Sequence, residues 1–171
     1  MATASVELLV DGFNRVQESV HDVLEGLGEE QLTARLDQDA NPIGWLVWHL
    51  TRVQDDHIAE VAGREQAWTE AGYHQDFGLP YHTADHGYGH STAQVGSFGG
   101  VTAKQLADYH DAVHARTVEY LRTLSDADYQ RIVDDSWDPP VTLAVRLVSV
   151  LAEDHQHVGQ AAYVRGILER R

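Results

Sequence analysis

The chain has 171 residues, 27 acidic against 12 basic side chains for a formal charge of −15, eleven histidines and no cysteine. That length fits one domain with a sizeable core, and the charge repels phosphate backbones and anionic membrane surfaces. Without cysteine there are no disulfides, no thiolate metal sites and no protein thiol nucleophile, so any thiol chemistry must use a thiol brought from outside.

The opening stretch, MATASVELLVDG, has no basic start before a long apolar core, and nowhere do about 18 apolar residues run together. A soluble, cytoplasmic protein that binds neither nucleic acid nor membrane is expected. Four segments then carry helical periodicity. Thr3 and Ser5 are candidate N-caps for the first, Glu7 lies in its opening turn, and Leu9, Phe13, Val16, Val20, Val23 and Leu27 recur every three or four positions. The second opens at Asn41 as N-cap with Pro42 in the first helical position and runs through Ile43, Leu46, Leu50, Val53, His57 and Val61 to Gly63.

Residues 64–101 hold seven of the 14 glycines together with Trp68, Tyr73, Phe77, Tyr81 and Tyr88. A connection of that length is uncommon in a compact domain unless it works as a lid or docks on a partner. A short helix near EQAWTEAGY and an ordered, aromatic-anchored crossover around GLPYH are predicted. The third helix follows TAKQ (102–105), a capping box, with Leu106, Val113, Thr117, Tyr120 and Leu124 along one side. The fourth starts after WDPPVT, with a stripe of Leu143, Leu147, Val150, His157, Ala161, Val164 and Leu168. No segment shows a strand period. The expected fold is all-α, an antiparallel four-helix bundle over residues 1–171 with a long ordered crossover between helices two and three, and its ligand sites should be built from inward-facing side chains.

His with Asp or Glu is the ligand set available for zinc, nickel, iron or manganese. In LAEDHQHVGQ (151–160), Glu153 and His157 stand four apart and share a helix face, about 40° from one another, while His155 lies nearly opposite. Asp154 lies about 60° from His157 on the other side, so periodicity leaves Glu153 and Asp154 both open as its partner. On helix two, His49 is nearly eclipsed with Asp56, and His57 lies closer to the middle of the apolar face; both imidazoles are eligible, with His57 the better core histidine. Two further clusters are weaker. His110 and His114 form an i,i+4 pair on helix three, and His82, His86 and His90 sit in HTADHGYGH, where Gly87 and Gly89 argue for a solvated loop.

NPIGWLVWHLTRVQDDH and LAEDHQHVGQAAYVRG resemble the second and last helices of the DinB/YfiT-like superfamily, in particular an actinobacterial branch related to the mycothiol-dependent maleylpyruvate isomerases. The resemblance implies a bundle, often a homodimer, holding a divalent metal between the WHL histidine, His49, and the pair before Gly159 and Gln160, which here is Glu153 and His157. Glutamate takes the place of the more usual first histidine of that pair and keeps a competent ligand. Three protein ligands leave a position open for water or substrate, and zinc is the first expectation.

The implied chemistry is thiol transfer. A small soluble thiol such as mycothiol would add to a small electrophile, giving a conjugate or, if expelled again, an isomer. Asp56 is expected as an outer partner or base beside His49 and Gln160 as a residue that orients a ligand. Arg52 and Arg146 are candidates to meet an anionic substrate, a surface salt bridge being the ordinary alternative for Arg146. Metal-assisted hydrolysis and a non-catalytic, metal-holding binding protein with its aromatic loop at a dimer contact are the rival readings.

Overall fold

A computed structural model describes residues 3–170. Four long helices form the body: α1 (Ala4–Leu24), α3 (Ile43–Ala62), α7 (Ala103–Leu121) and α8 (Leu143–Leu168). Shorter ones connect them: α2 (Glu29–Thr33), α4 (Ala67–Glu70), α5 (Tyr73–Phe77) and α6 (Thr92–Gly96). No helix among the described residues is long and apolar enough to cross a membrane.

The long helices begin and end where capping chemistry permits. The hydroxyls of Thr3, Thr102 and Thr142 accept the N–H groups of Val6, Gln105 and Val145, each three residues on, satisfying donors that have no partner inside the helix. The α3 helix stops at Gly63, whose φ of 66° is readily available to glycine. Its N-cap is Pro42, in extended conformation, one residue later than the Asn41 cap expected from sequence. The α1 helix likewise ends before Leu27, at the turn that places Gly26 at φ 72°.

Side-chain pairs fix the topology. Asn14 and Gln17 of α1 meet His114 and Asp111 of α7, and His49 and His57 of α3 meet Glu153 and Arg146 of α8, so both of these interfaces are antiparallel. Thr51 and Gln54 of α3 meet His110 and Thr117 of α7, so that pair runs parallel. Parallel too are α1 and α8, where Gly12 faces Leu151 and Arg165 bonds the carbonyls of Asp22 and Val23. The order is therefore up, down, down, up, with α1 and α3 each packed on both α7 and α8. A chain leaving α3 must climb back along the whole bundle, about 30 Å for a 20-residue helix, before it can start α7 in the same direction. The length of residues 64–101 follows from that requirement.

The crossover is ordered because the bundle anchors it. Trp68 and Phe77 pack with Tyr109 of α7, and Tyr81 packs on Trp48 of α3. The Asp55 carboxylate accepts the N–H groups of Ala67 and Trp68, at 2.9 and 2.8 Å, and the Tyr109 hydroxyl at 2.9 Å. Arg52, fully buried, donates to the Asp85 carbonyl and to Gln66, with its guanidinium over the Trp68 ring. The short helix expected near EQAWTEAGY is α4, and a second, α5, follows from the last residue of that stretch.

The fold is all-α, as expected from sequence, with one small addition that no strand period announced: an antiparallel hairpin of β1 (Ile132–Asp134) and β2 (Val141–Thr142), with Ile132 opposite Thr142 and Asp134 opposite Val141. Its tip, DSWDPP (135–140), is a cluster of turn formers too short to have left a period. This hairpin precedes α8 directly and leans over the α3–α8 seam.

Candidate metal centre

His49 lies on α3 two helical turns from its start, and Glu153 and His157 lie one turn apart on the antiparallel α8. Their ligand atoms converge. Glu153 Oε1 is 3.0 Å from His157 Nε2 and 3.4 Å from His49 Nε2, and one ligand atom from each residue falls within 4.8 Å of the others. The two imidazoles meet edge to face, with centroids 4.7 Å apart.

Outer partners set which nitrogen each ring presents. His49 Nδ1–H donates to the backbone carbonyl of His86 in the crossover, and His157 Nδ1–H donates to Gln160 Oε1 at 2.9 Å, one turn further along α8. With both Nδ1 hydrogens so used, each neutral ring turns a bare Nε2 lone pair toward the other and toward a carboxylate oxygen. Three acceptors facing one another repel unless a cation or a proton lies among them. That donor set, two imidazole nitrogens and one carboxylate, suits zinc and its first-row neighbours, so the residues present fit a divalent ion.

Burial sharpens the arrangement. His49 stacks on Trp45, with centroids 4.8 Å apart, and its burial pulls its pKa below the ordinary imidazole value, which favours the neutral form a metal needs. Gly87 explains how the crossover comes so close. Its φ is +95°, and a Cβ there would stand 2.7 Å from His49 Nδ1 and 2.9 Å from Trp45. Only glycine lets the His86 carbonyl reach the ring.

The choice between neighbouring carboxylates is also resolved by packing. Asp154, not Glu153, points into the bundle core, fully buried and with neither oxygen hydrogen-bonded to protein. Burial first, then the Glu153 charge, pushes its pKa well above the ordinary carboxylate value, which favours the neutral acid over the carboxylate a metal needs.

A cleft of about 440 Å³ opens from this point between α3, α8, the hairpin and the crossover. His49 and Glu153 line it, together with Asp56, His57 and Arg146. The remaining sequence candidates divide. Asp56 faces the cleft, yet it accepts from Gln66 Nε2 at 2.6 Å, and the outer partner of His49 is the His86 carbonyl instead. Gln160 is in place beside His157. Arg52 is spent inside the crossover anchor, away from the cleft, because a guanidinium on that face of α3 meets the Trp68 layer rather than solvent. His57, expected in the core, stands half-buried on the cleft wall and accepts from Arg146 at 2.5 Å, and burial together with the Arg146 charge lowers its pKa.

His82 is exposed in its turn, but His90 is buried against Trp45, Trp48 and Tyr81, and His86 lines the cleft, so the solvated-loop expectation holds for only one of the three. Sequence reasoning missed Gly87, Tyr88, Asp134 and Trp137. The only signal for the first two was the spacing of Gly87 and Gly89 around a tyrosine.

The DinB superfamily model matches residues 13–161. The chain belongs to the DinB superfamily. Among solved structures, this DinB-like chain is similar to a conserved protein from Enterococcus faecalis, with a TM-score of 0.90, 25% identity and coverage of 100% of this chain and 99% of that one. Among curated proteins, none matches the sequence significantly.

Proposed function

We propose that this DinB-like protein binds one divalent cation, zinc first, through His49, Glu153 and His157. In this reading it uses the ion to add a small soluble thiol of the mycothiol type to a small electrophile, as an S-transferase or, where the thiol is expelled again, an isomerase. The observation that carries the reading is the convergence of two bare Nε2 atoms and Glu153 Oε1 beside an open cleft that His49 and Glu153 line, in a chain with no cysteine of its own. A cation held there by three protein ligands keeps a position open and supplies Lewis acidity, lowering the pKa of a coordinated thiol or water.

The chain's own residues divide the remaining work. The His86 carbonyl and Gln160 hold the two rings in the tautomer that offers Nε2, and Trp45 shields one face of His49 from water. Asp56 on the cleft wall, one oxygen held by Gln66, is the proposed proton acceptor for the incoming thiol. Its place there equally suits activation of water, which makes metal-assisted hydrolysis the second reading.

Elemental analysis of untagged protein, followed by an electrophile panel run with mycothiol, bacillithiol, glutathione or no thiol, tests the proposal. Stoichiometric metal with thiol-dependent turnover is expected. Turnover without thiol replaces it with hydrolysis, and metal without turnover under any condition leaves a binding protein.

A further inference from the structure

The cleft beside the metal centre has a composition that selects among electrophiles. Two large aromatic side chains line it while remaining mostly in water, Tyr88 at 86% and Trp137 at 67% exposure. They come from different elements, Tyr88 from the crossover between two glycines of positive φ and Trp137 from the hairpin tip, where Ser136 bonds back to Asp134. Val141 and Val145 continue the same apolar wall. Two exposed rings converging on one cavity are unusual for a surface that meets only water, and aromatic groups of this kind dominate the energetics of pockets that bind flat apolar ligands.

The charges in the cleft narrow the class further. Arg146 is its one guanidinium, and it is already committed: 3.2 Å from Asp134, 3.6 Å from Glu60 and donating to His57. Two carboxylates outweigh its single positive charge, so nothing is left over to hold an anionic substrate, contrary to the role expected for Arg146 from sequence. Asp56 adds a further negative charge to the wall.

We infer that the cleft takes an uncharged electrophile built on an aromatic ring, with the ring against Trp137 and Tyr88 and its polar end toward His49 and Glu153. This rests on the metal-centre reading for the polar end and on the aromatic wall alone for the ring.

Three hydroxamates of equal metal affinity test both halves on zinc-loaded protein of measured metal content: acetohydroxamate, benzohydroxamate and 4-carboxybenzohydroxamate. By calorimetry, benzohydroxamate should bind about tenfold or more tighter than acetohydroxamate, and the added carboxylate should remove that gain. Trp137→Ala and Tyr88→Ala should each cut the benzohydroxamate advantage while leaving acetohydroxamate affinity and zinc content unchanged. Equal affinity for the first two ligands, or tighter binding of the carboxylate, overturns the inference.

A second measurement needs no metal. Trp45, Trp48 and Trp68 are buried, so the exposed indole emission belongs to Trp137. Titration of chelator-treated protein with 4-nitrobenzyl alcohol should quench it saturably, and 4-nitrobenzoate should not. Saturable quenching by the alcohol, in a protein that fails to take zinc up again stoichiometrically once the chelator is removed, sinks the metal reading and keeps the aromatic subsite. Retained zinc with no discrimination by either assay does the reverse.

Discussion

The molecule contains two i,i+4 pairs with the same ligand-type spacing and opposite fates. On α8, Glu153 and His157 turn their donor atoms toward a third donor on α3. On α7, His110 and His114 diverge: His110 Nδ1 bonds Thr51 on α3, while His114 Nε2 bonds Asn14 on α1. Spacing places two side chains on one face of a helix, but a face of a bundle helix spans two neighbours, and only the neighbour decides whether the pair shares a centre. The α8 pair meets an imidazole whose far nitrogen is already fixed by a carbonyl. The α7 pair meets a hydroxyl and an amide, each of which engages one nitrogen of one ring, and the two leave no common point.

The sharpest way to break this contrast is to remove donors from each side. His49→Ala, Glu153→Ala or His157→Ala should lower affinity for zinc by more than about 100-fold, beyond what loss of an outer partner costs, whereas His110→Ala and His114→Ala should purify with full metal content. Asp154→Asn belongs with the second group, since its side chain faces the core. Stoichiometric metal in all three α8–α3 variants, read by elemental analysis, would end the case for this centre.

Next in size is Gly87→Ala. The new methyl would collide with His49 and Trp45 at a φ that L residues avoid, pushing the His86 carbonyl off the ring. Affinity should fall by about 10- to 100-fold, the range for an outer-shell partner, with no donor removed. Unchanged affinity in a competition titration against a chelator would show that the crossover does not hold the ring.

How much of this could be read from the sequence follows the reach of each signal. The long helices were legible because caps and apolar periodicity are local, and Thr102 with Gln105 behaves as its spacing predicts. The up, down, down, up order was not, since it depends on which helix faces which. Nor was the hairpin, whose two strands hold three and two residues, fewer than a period needs to repeat. At the site, periodicity placed His157 inside the apolar stripe, where the structure leaves it only partly buried, but left Glu153 and Asp154 undivided, and family resemblance rather than geometry selected Glu153. The structure separates them by burial. What no local pattern could show is that the loop histidine His86 acts through its backbone and that Arg52, polar and on the same helix as His49, is consumed by the crossover.

Gln160→Ala sharpens the comparison at smaller scale. It removes the acceptor for His157 Nδ1 at a more exposed position, where water can take its place, so about tenfold weaker zinc binding is expected, the low end of the same range. Gln160→Glu offers the ring a stronger acceptor and should restore or exceed the original affinity. A merely structural role for Gln160 would not give that rescue.

The α7 pair yields the smallest effect, and it appears in stability rather than metal. His110 is buried with its Nε2 unpartnered, and burial first, then the nearby His114 and His21, against the opposing charge of Asp111, brings its pKa from 6.5 to about 3. The folded protein therefore keeps this ring neutral in a range where the unfolded chain protonates it. The stability it confers is complete above about pH 6.5 and drains away as pH falls toward about 3, at about 1.4 kcal/mol per pH unit for one proton. Other groups titrate in the same window, Asp154 with the opposite sign, so the informative quantity is the difference in unfolding free energy between wild type and His110→Gln, measured by denaturant titration with chelator present. That difference should shift in favour of the variant as the solution is acidified. A difference that stays flat between pH 6.5 and pH 4 would mean the ring takes up its proton inside the fold, and the opposition between a divergent pair on α7, with His110 held neutral by burial, and a convergent, cation-seeking pair on α8 would lose its physical basis.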